Sequence, residues 1–291
     1  MTTTVSHYGV AYYGVDYYGI RADSGGIAMV VEMQLDGTGG AWTDVSEDVI
    51  WPLRNTAGMM GNTVADRVAA TGVMTFDLDN SASNTGGTLG WYSPGHASAR
   101  AGFAPGAPVR LTMTDNTNTK RVYGRIARDG IQVDALQYGP RRTHVTVVDY
   151  MNYLAEYPIE LQAVGTDQRA DEAITTIVGL QSIAPLSTNY AAGQDTFAYV
   201  FDTINQRTRA MTEIQKLMQS EFGYTYVKRD ATYGEVLTFD GRHTRTTSTS
   251  SGTISDTMTT MSTLWGANYA NRTKVTSYPR QIDAAATTVL A

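Results

Sequence analysis

Asp77 and Asp79 are the first residues whose type and spacing carry chemistry. They stand in the run Val73 to Asp79 ("VMTFDLD"), which alternates apolar and polar residues at the period of a strand with one buried face. In a strand the two carboxylates point to the same side, about 7 Å apart, a separation that glycosidases can use. The same pattern describes polar positions on a solvated strand face, and this is the stronger reading. A second acidic group, Asp44, Glu47 and Asp48 in "TDVSED", has the oxygens to hold a hard cation. It lacks the glycine spacing of a calcium loop and reads as a solvated turn.

The four histidines, His7, His96, His144 and His243, are scattered, with no pair at metal-ligand spacing. The chain has no cysteine, which removes disulfides, thiolate metal sites and thiol nucleophiles. It carries no Gly-x-Ser-x-Gly elbow, no P-loop and no dinucleotide fingerprint. Two short basic spots, "RRTH" at Arg141 to His144 and "GRHTR" at Gly241 to Arg245, read as facing solvent or a partner's acidic loop, with phosphate binding the lesser alternative. The expectation is a protein with no catalytic residues, no cofactor and no metal, and hence not an enzyme.

The elements that must position these residues are mostly strands. Of 291 residues only 17% are charged, against about a quarter in an ordinary domain, while glycine numbers 28. Ile27 to Leu35 alternates and ends at "DGTGG"; "AWTDVSEDVI" and "WPLRN" read as short extended pieces. "PVRLTMT" alternates, "KRVYGRIARDGIQVD" looks broken at Gly124, and "THVTVVDYMNYL" runs as a strand into Asp149 and a short helix. Six or seven strands with turn signals point to a sandwich or barrel.

Beyond Pro158 the pattern changes. "TDQRADEAITTIVGL" predicts a helix with Asp167 as N-cap, and "TRAMTEIQKLMQSEFG" predicts a second with Gly223 at its C′ position. "YTYVKRDATYGEVLTFDGR" predicts a hairpin. Before all of this, "HYGV", "YYGV" and "YYGI" repeat around Gly9, Gly14 and Gly19. Tyr12, Tyr13, Tyr17 and Tyr18 suit an arm docked on a neighbour, and a frayed terminus is the alternative.

The net charge of −6 does not mark a sequence-specific nucleic-acid binder. An acidic wall would instead repel DNA in transit. No apolar run approaches the roughly 18 residues of a membrane span, and the N-terminus lacks the pattern of a secretory signal.

Read in order, these pieces resemble the tail-hub and minor tail proteins of tailed bacteriophages. The resemblance rests on a strand followed by "WTDVSEDVI", then "AATGVMTFDLDN", "YSP", "PGAPVRL", "VYGRIARDGIQVD" and "VTVVDYMNYL". The hairpin "FGYTYVKRD…GEVLTFDGRHTR" completes the series. It implies a mainly β fold with an α+β insert: an arm at 1–26, a tube-forming β-barrel domain at 27–158, a middle domain at 159–246, and a linker with the start of a second tube-like domain at 247–291.

The resemblance also implies a virion protein of the tail tip, made in the host cytoplasm. It would form a homotrimeric hub ring that meets distal tail and tail-tube proteins, the tape-measure protein and tail fibres or receptor-binding proteins, with DNA passing only in transit. A hexameric distal tail protein and a receptor- or carbohydrate-binding tail module are the alternatives. "DLDNSASNTGGTLGWYSPG" becomes a rim loop in this picture, with Asn80, Trp91, Tyr92 and Pro94 as interface residues alongside the arm tyrosines.

Overall fold

Alternation along the strands decides which side of the large sheet is dry. The computed structural model describes residues 27–244 apart from positions 38, 59–65, 116–117, 135–140, 161, 203 and 205–206. The arm tyrosines Tyr12, Tyr13, Tyr17 and Tyr18, His7 and the expected C-terminal unit lie outside the described residues.

Seven strands form one antiparallel sheet: β1 (Ile27–Gln34), β2 (Trp42–Asp44), β3 (Val49–Thr56), β4 (Val73–Asp79), β5 (Pro108–Asp115), β6 (Asn118–Asp134) and β7 (Arg142–Val148). Their order is β2-β1-β5-β6-β7-β4-β3. Met74 and Phe76 of β4 stand opposite Val147 and Val145 of β7, and all four enter one core with Val31, Met33, Val109, Leu111 and Ile126. Each such side chain contributes about 1.5–3 kcal/mol by leaving water.

β2 and β3 occupy opposite ends of this order, yet only the 3-10 turn Ser46–Asp48 and Val45 separate them in sequence. Six inter-strand steps of about 4.8 Å would hold the ends of a flat sheet about 29 Å apart. The five steps from Asp44 to Val49 reach at most about 18 Å. The sheet must therefore curl towards a barrel. Among the described residues no ladder joins β2 to β3, so the expected barrel is a curled sheet with an open seam.

The break expected at Gly124 is absent. β6 runs through it, because a Cβ there would lie 2.6 Å from the Val148 carbonyl oxygen and glycine permits the close crossing. The irregularity falls instead between Ile126 and Ile131, where pairing with β7 shifts register.

After α1 (Tyr150–Glu156) the elements shorten: β8 (Pro158–Glu160), β9 (Gly165–Arg169), α2 (Ala170–Gly179), β10 (Ser187–Tyr190), β11 (Thr196–Val200), β12 (Arg207–Arg209), α3 (Ala210–Glu221), and the hairpin strands β13 (Tyr224–Lys228) and β14 (Val236–Asp240). Ala173, Ile174 and Ile177 of α2 and Ile214, Leu217 and Met218 of α3 bury against Leu237 and Phe239 of β14. This second core has the amphipathic helices and hairpin read from the sequence.

Two helix ends differ from expectation. The N-cap of α2 is Arg169, whose N–H donates to Glu172 Oε2 at 2.9 Å, while Asp167 lies inside β9 at φ 52°. Gly223 does stand at C′, one residue past the C-cap Phe222, but the left-handed residue is Phe222 at φ 58°. Gly223 is needed for space: a Cβ there would meet the Phe239 ring at 2.6 Å.

The two cores are stitched together by backbone. Residues 67–69 run beside β13, with Ala69 N–H donating to Thr225 O (2.9 Å) and Thr225 N–H to Arg67 O (3.0 Å). β7 pairs only with the second half of β6. Beside the first half lies the turn between β13 and β14, where Arg121 N–H donates to Asp230 O and Tyr123 N–H to Gly234 O.

Candidate assembly interface

The turn Ser46–Asp48 that joins β2 to β3 is tied at Asp48 to the segment from Asn80 to Ala107. Asp79 begins it: its Oδ1 accepts the Ser81 N–H at 2.9 Å and its Oδ2 the Ser83 hydroxyl at 3.2 Å, which turns the chain out of β4. Asn80, only 3% exposed, accepts the Tyr92 N–H on Oδ1 (2.8 Å) and donates from Nδ2 to Ser93 Oγ (2.7 Å). Asn84 pins the middle of the loop by donating to the Ser81 and Thr88 carbonyls. The loop is thereby folded back on itself, and its aromatic end returns to the sheet.

Tyr92 enters the sheet core with no exposed surface and meets Phe103 edge-on, ring centroids 5.2 Å apart. Its hydroxyl donates to Asp48 Oδ2 at 2.5 Å and accepts from Arg100 Nη1 at 2.6 Å. Asp48, 2% exposed, also accepts the Thr85 N–H (2.7 Å) and Thr85 hydroxyl (2.6 Å). A phenol thus stands between a buried carboxylate and a guanidinium. Burial and the Asp48 hydrogen bond push the Tyr92 pKa up, so it acts here as a neutral donor. The segment that crosses the seam is fastened by the loop.

These positions divide the expected interface residues. Asn80 and Tyr92 serve the chain's own interior, and their hydrogen bonds are internal. Trp91 is half-buried, held over Gly86, where a Cβ would lie 2.5 Å from the indole, and under the Arg100 guanidinium at 5.8 Å. Pro94 is exposed, as is Leu89 on the same loop. Among the described residues of the expected set, Trp91 and Pro94 have surface to offer.

The candidate chemical groups are not gathered into one site. Asp77 faces His144 across β4 and β7, Oδ1 to Nδ1 2.7 Å, with Arg142 at 3.6 Å. Asp79 serves its own turn, so the two carboxylates of the run have different partners. Asp44 accepts the Ser46 N–H (2.8 Å), and Asp48 turns inward to Tyr92, which separates the acidic cluster. His96 is exposed and accepts the Ser98 N–H. Arg142 pairs with Asp77, and Arg242 with Asp195 at 2.7 Å, within the chain itself. Among the described residues no group of three acidic or histidine side chains is placed to hold a metal.

The outer face of the sheet carries ordered charge that the sequence does not announce. Arg110 of β5 makes a two-pronged pair with Glu32 of β1, both bonds 2.8 Å, and its guanidinium lies 4.2 Å from the Trp42 ring centre. Their cross-strand register becomes visible only once β1 and β5 are paired.

A second buried polar cluster joins the two cores. Glu235 at the foot of β14, 2% exposed, accepts Tyr150 N–H on Oε1 (2.9 Å) and Leu186 N–H on Oε2 (3.3 Å). Asp149 accepts Gly72 N–H (2.8 Å) and Met151 N–H (3.1 Å), capping α1. Burial pushes the Glu235 carboxyl up to about 7 and Asp149 up to about 6. Asp149 is read in sequence only as the end of a strand, and Glu235 carries no local signal.

No family model matches the sequence, and no curated protein matches it. Solved structures similar in part include the tail protein from Neisseria meningitidis MC58, at 10% identity and a TM-score of 0.46 over 74% of this chain and 50% of that one. The 43 kDa tail protein of prophage MuSo2 from Shewanella oneidensis is similar at 9% identity and 0.44, over 73% and 52%. The E. coli c3393 protein, a type VI secretion component described as similar to the T4 tail proteins gp27 and gp5, is similar at 10% and 0.38, over 75% and 46%. This chain spans about half the length of the structures it matches.

Proposed function

We propose that this chain is a non-enzymatic structural subunit of a phage-type tail tip. It forms, in three copies, the hub ring that closes the tail tube and lets DNA and the tape-measure protein pass. In this reading residues 27–158 are the tube-like unit, 159–246 the insert, and 247–291 the start of a second tube-like unit. The arm at 1–26, with Tyr12, Tyr13, Tyr17 and Tyr18, docks on neighbouring subunits, and Trp91 and Pro94 meet the adjoining ring. Distal tail, tail-tube and fibre or receptor-binding proteins are the partners, and the virion is its location.

The observation that supports this reading is the curled sheet with its open seam, which ends at β3 with no further strand beside it among the described residues. An exposed strand edge is a template for another chain. Here the edge strand carries Pro52 and Arg54, which discourage indiscriminate pairing while leaving specific pairing possible. The identity proposed for the assembly is taken from the resemblance of the ordered sequence blocks.

Native mass spectrometry of the purified chain, with electron-microscope class averages of intact particles, tests the proposal. A three-fold ring at the tail tip is the expected result. A six-fold ring would move the assignment to a distal tail protein. A monomer with no place in the particle would overturn both.

A further inference from the structure

Glu235 and Asp149 are buried where the curled sheet, α1 and the β13–β14 hairpin meet. Their four carboxylate oxygens accept backbone N–H groups from four positions: Gly72 ahead of β4, Tyr150 and Met151 at the start of α1, and Leu186 ahead of β10. Holding these together keeps the turn 230–234 against β6, through the Arg121 and Tyr123 hydrogen bonds. We propose that Glu235, with Asp149 beside it, makes the joint between the two cores a proton-dependent fastener that tightens on acidification and loosens as the pH rises.

The sign follows from burial. Facing the pair are Tyr123 and Arg125 of β6, Tyr150 and Tyr153 of α1, and Arg229 after β13. The backbone N–H bonds, and after them the arginines, favour the ionised acids, but removal from water outweighs both and raises the two carboxyls, Glu235 to about 7. When the joint opens, water reaches both groups and their ordinary values of 4.5 and 3.8 return. Between about 4.5 and 7 the closed joint therefore holds more protons than the open one, and acid favours closure. Above about 7 both acids are ionised in either form, and that part of the stabilisation is gone.

Backbone hydrogen exchange on the full chain between pH 5 and 8, corrected for intrinsic rates, reads this directly. Protection at the Arg121, Tyr123 and Tyr150 amides is expected to fall several-fold per pH unit towards pH 7, relative to the β1–β5 ladder. Glu235→Gln should at least halve that slope. Joint protection that tracks the β1–β5 ladder throughout, or an unchanged slope in the variant, would overturn the proposal. If the variant does not fold, carbon-13 titration of the wild-type Glu235 carboxyl decides: a midpoint near 7 supports the fastener, and one near 4.5 removes it.

Discussion

At the seam, Asp48 is held by the Tyr92 and Thr85 side chains together with one backbone amide, with Arg100 behind the phenol. At the joint, Glu235 is held by two backbone amides. Both carboxylates are buried, and both connect segments far apart in sequence. Their donors differ, and the donors determine what can loosen them. A side-chain clasp yields to substitution of the donor, because a buried acceptor is then left unsatisfied. A backbone clasp has no donor to substitute, so the charge on the acid itself is its adjustable part.

The largest expected effect at the seam is from Tyr92→Ala, which removes a buried ring as well as a donor and should cost about 3–5 kcal/mol in denaturant unfolding. Tyr92→Phe keeps the ring and should cost about 1–3 kcal/mol by leaving Asp48 one donor short. If the two variants lose equally, the hydroxyl rather than the ring carries the clasp.

At the joint, wild-type stability should fall by about 3 kcal/mol as pH rises from 4.5 to 7, from the shift of Glu235 alone. The stabilisation is full below the unfolded-state value and is lost as pH passes the folded-state value. Thermal unfolding against pH, with Glu235→Gln beside it, measures the difference. Gly234→Ala should cost about 2 kcal/mol, since Gly234 sits at φ 78° and a Cβ would press Arg121 Cβ at 2.9 Å. Its loss should appear first in exchange of the Tyr123 amide.

The smallest effect belongs to the two carboxylates of β4, Asp77 and Asp79. Asp77→Asn breaks a partly exposed pair with His144 and should cost less than about 1 kcal/mol. For Asp79→Asn the decisive readout is assembly. A loss of glycan hydrolysis in that variant would bring back the enzymatic alternative.

How far the sequence discloses this arrangement depends on the range of the interaction. β4 and β5 are readable because alternation is local, and α3 because its apolar steps recur every three or four residues. β8, β9, β11 and β12 have three to five residues each, too few for a period to stand out. The aromatic end of the loop reads in sequence as interface, and its target within the chain is not legible: Tyr92 and Asp48 are 44 positions apart, and nothing local links them. Glu235 was silent for the same reason, since its meaning lies in amides at positions 150 and 186.

The stitching of the two cores also sets an order of events during synthesis. Arg229 reaches the Thr56 carbonyl across 173 positions, and Arg67 reaches that of Phe222 across 155. At about 5–20 residues per second, the ribosome needs about 8–35 seconds to deliver the later partner. The backbone of residues 67–69 must wait through that interval without β13 beside it. The nascent sheet is thus longest exposed at the border where the second core will attach, and completion of the N-terminal half is timed by the emergence of the hairpin.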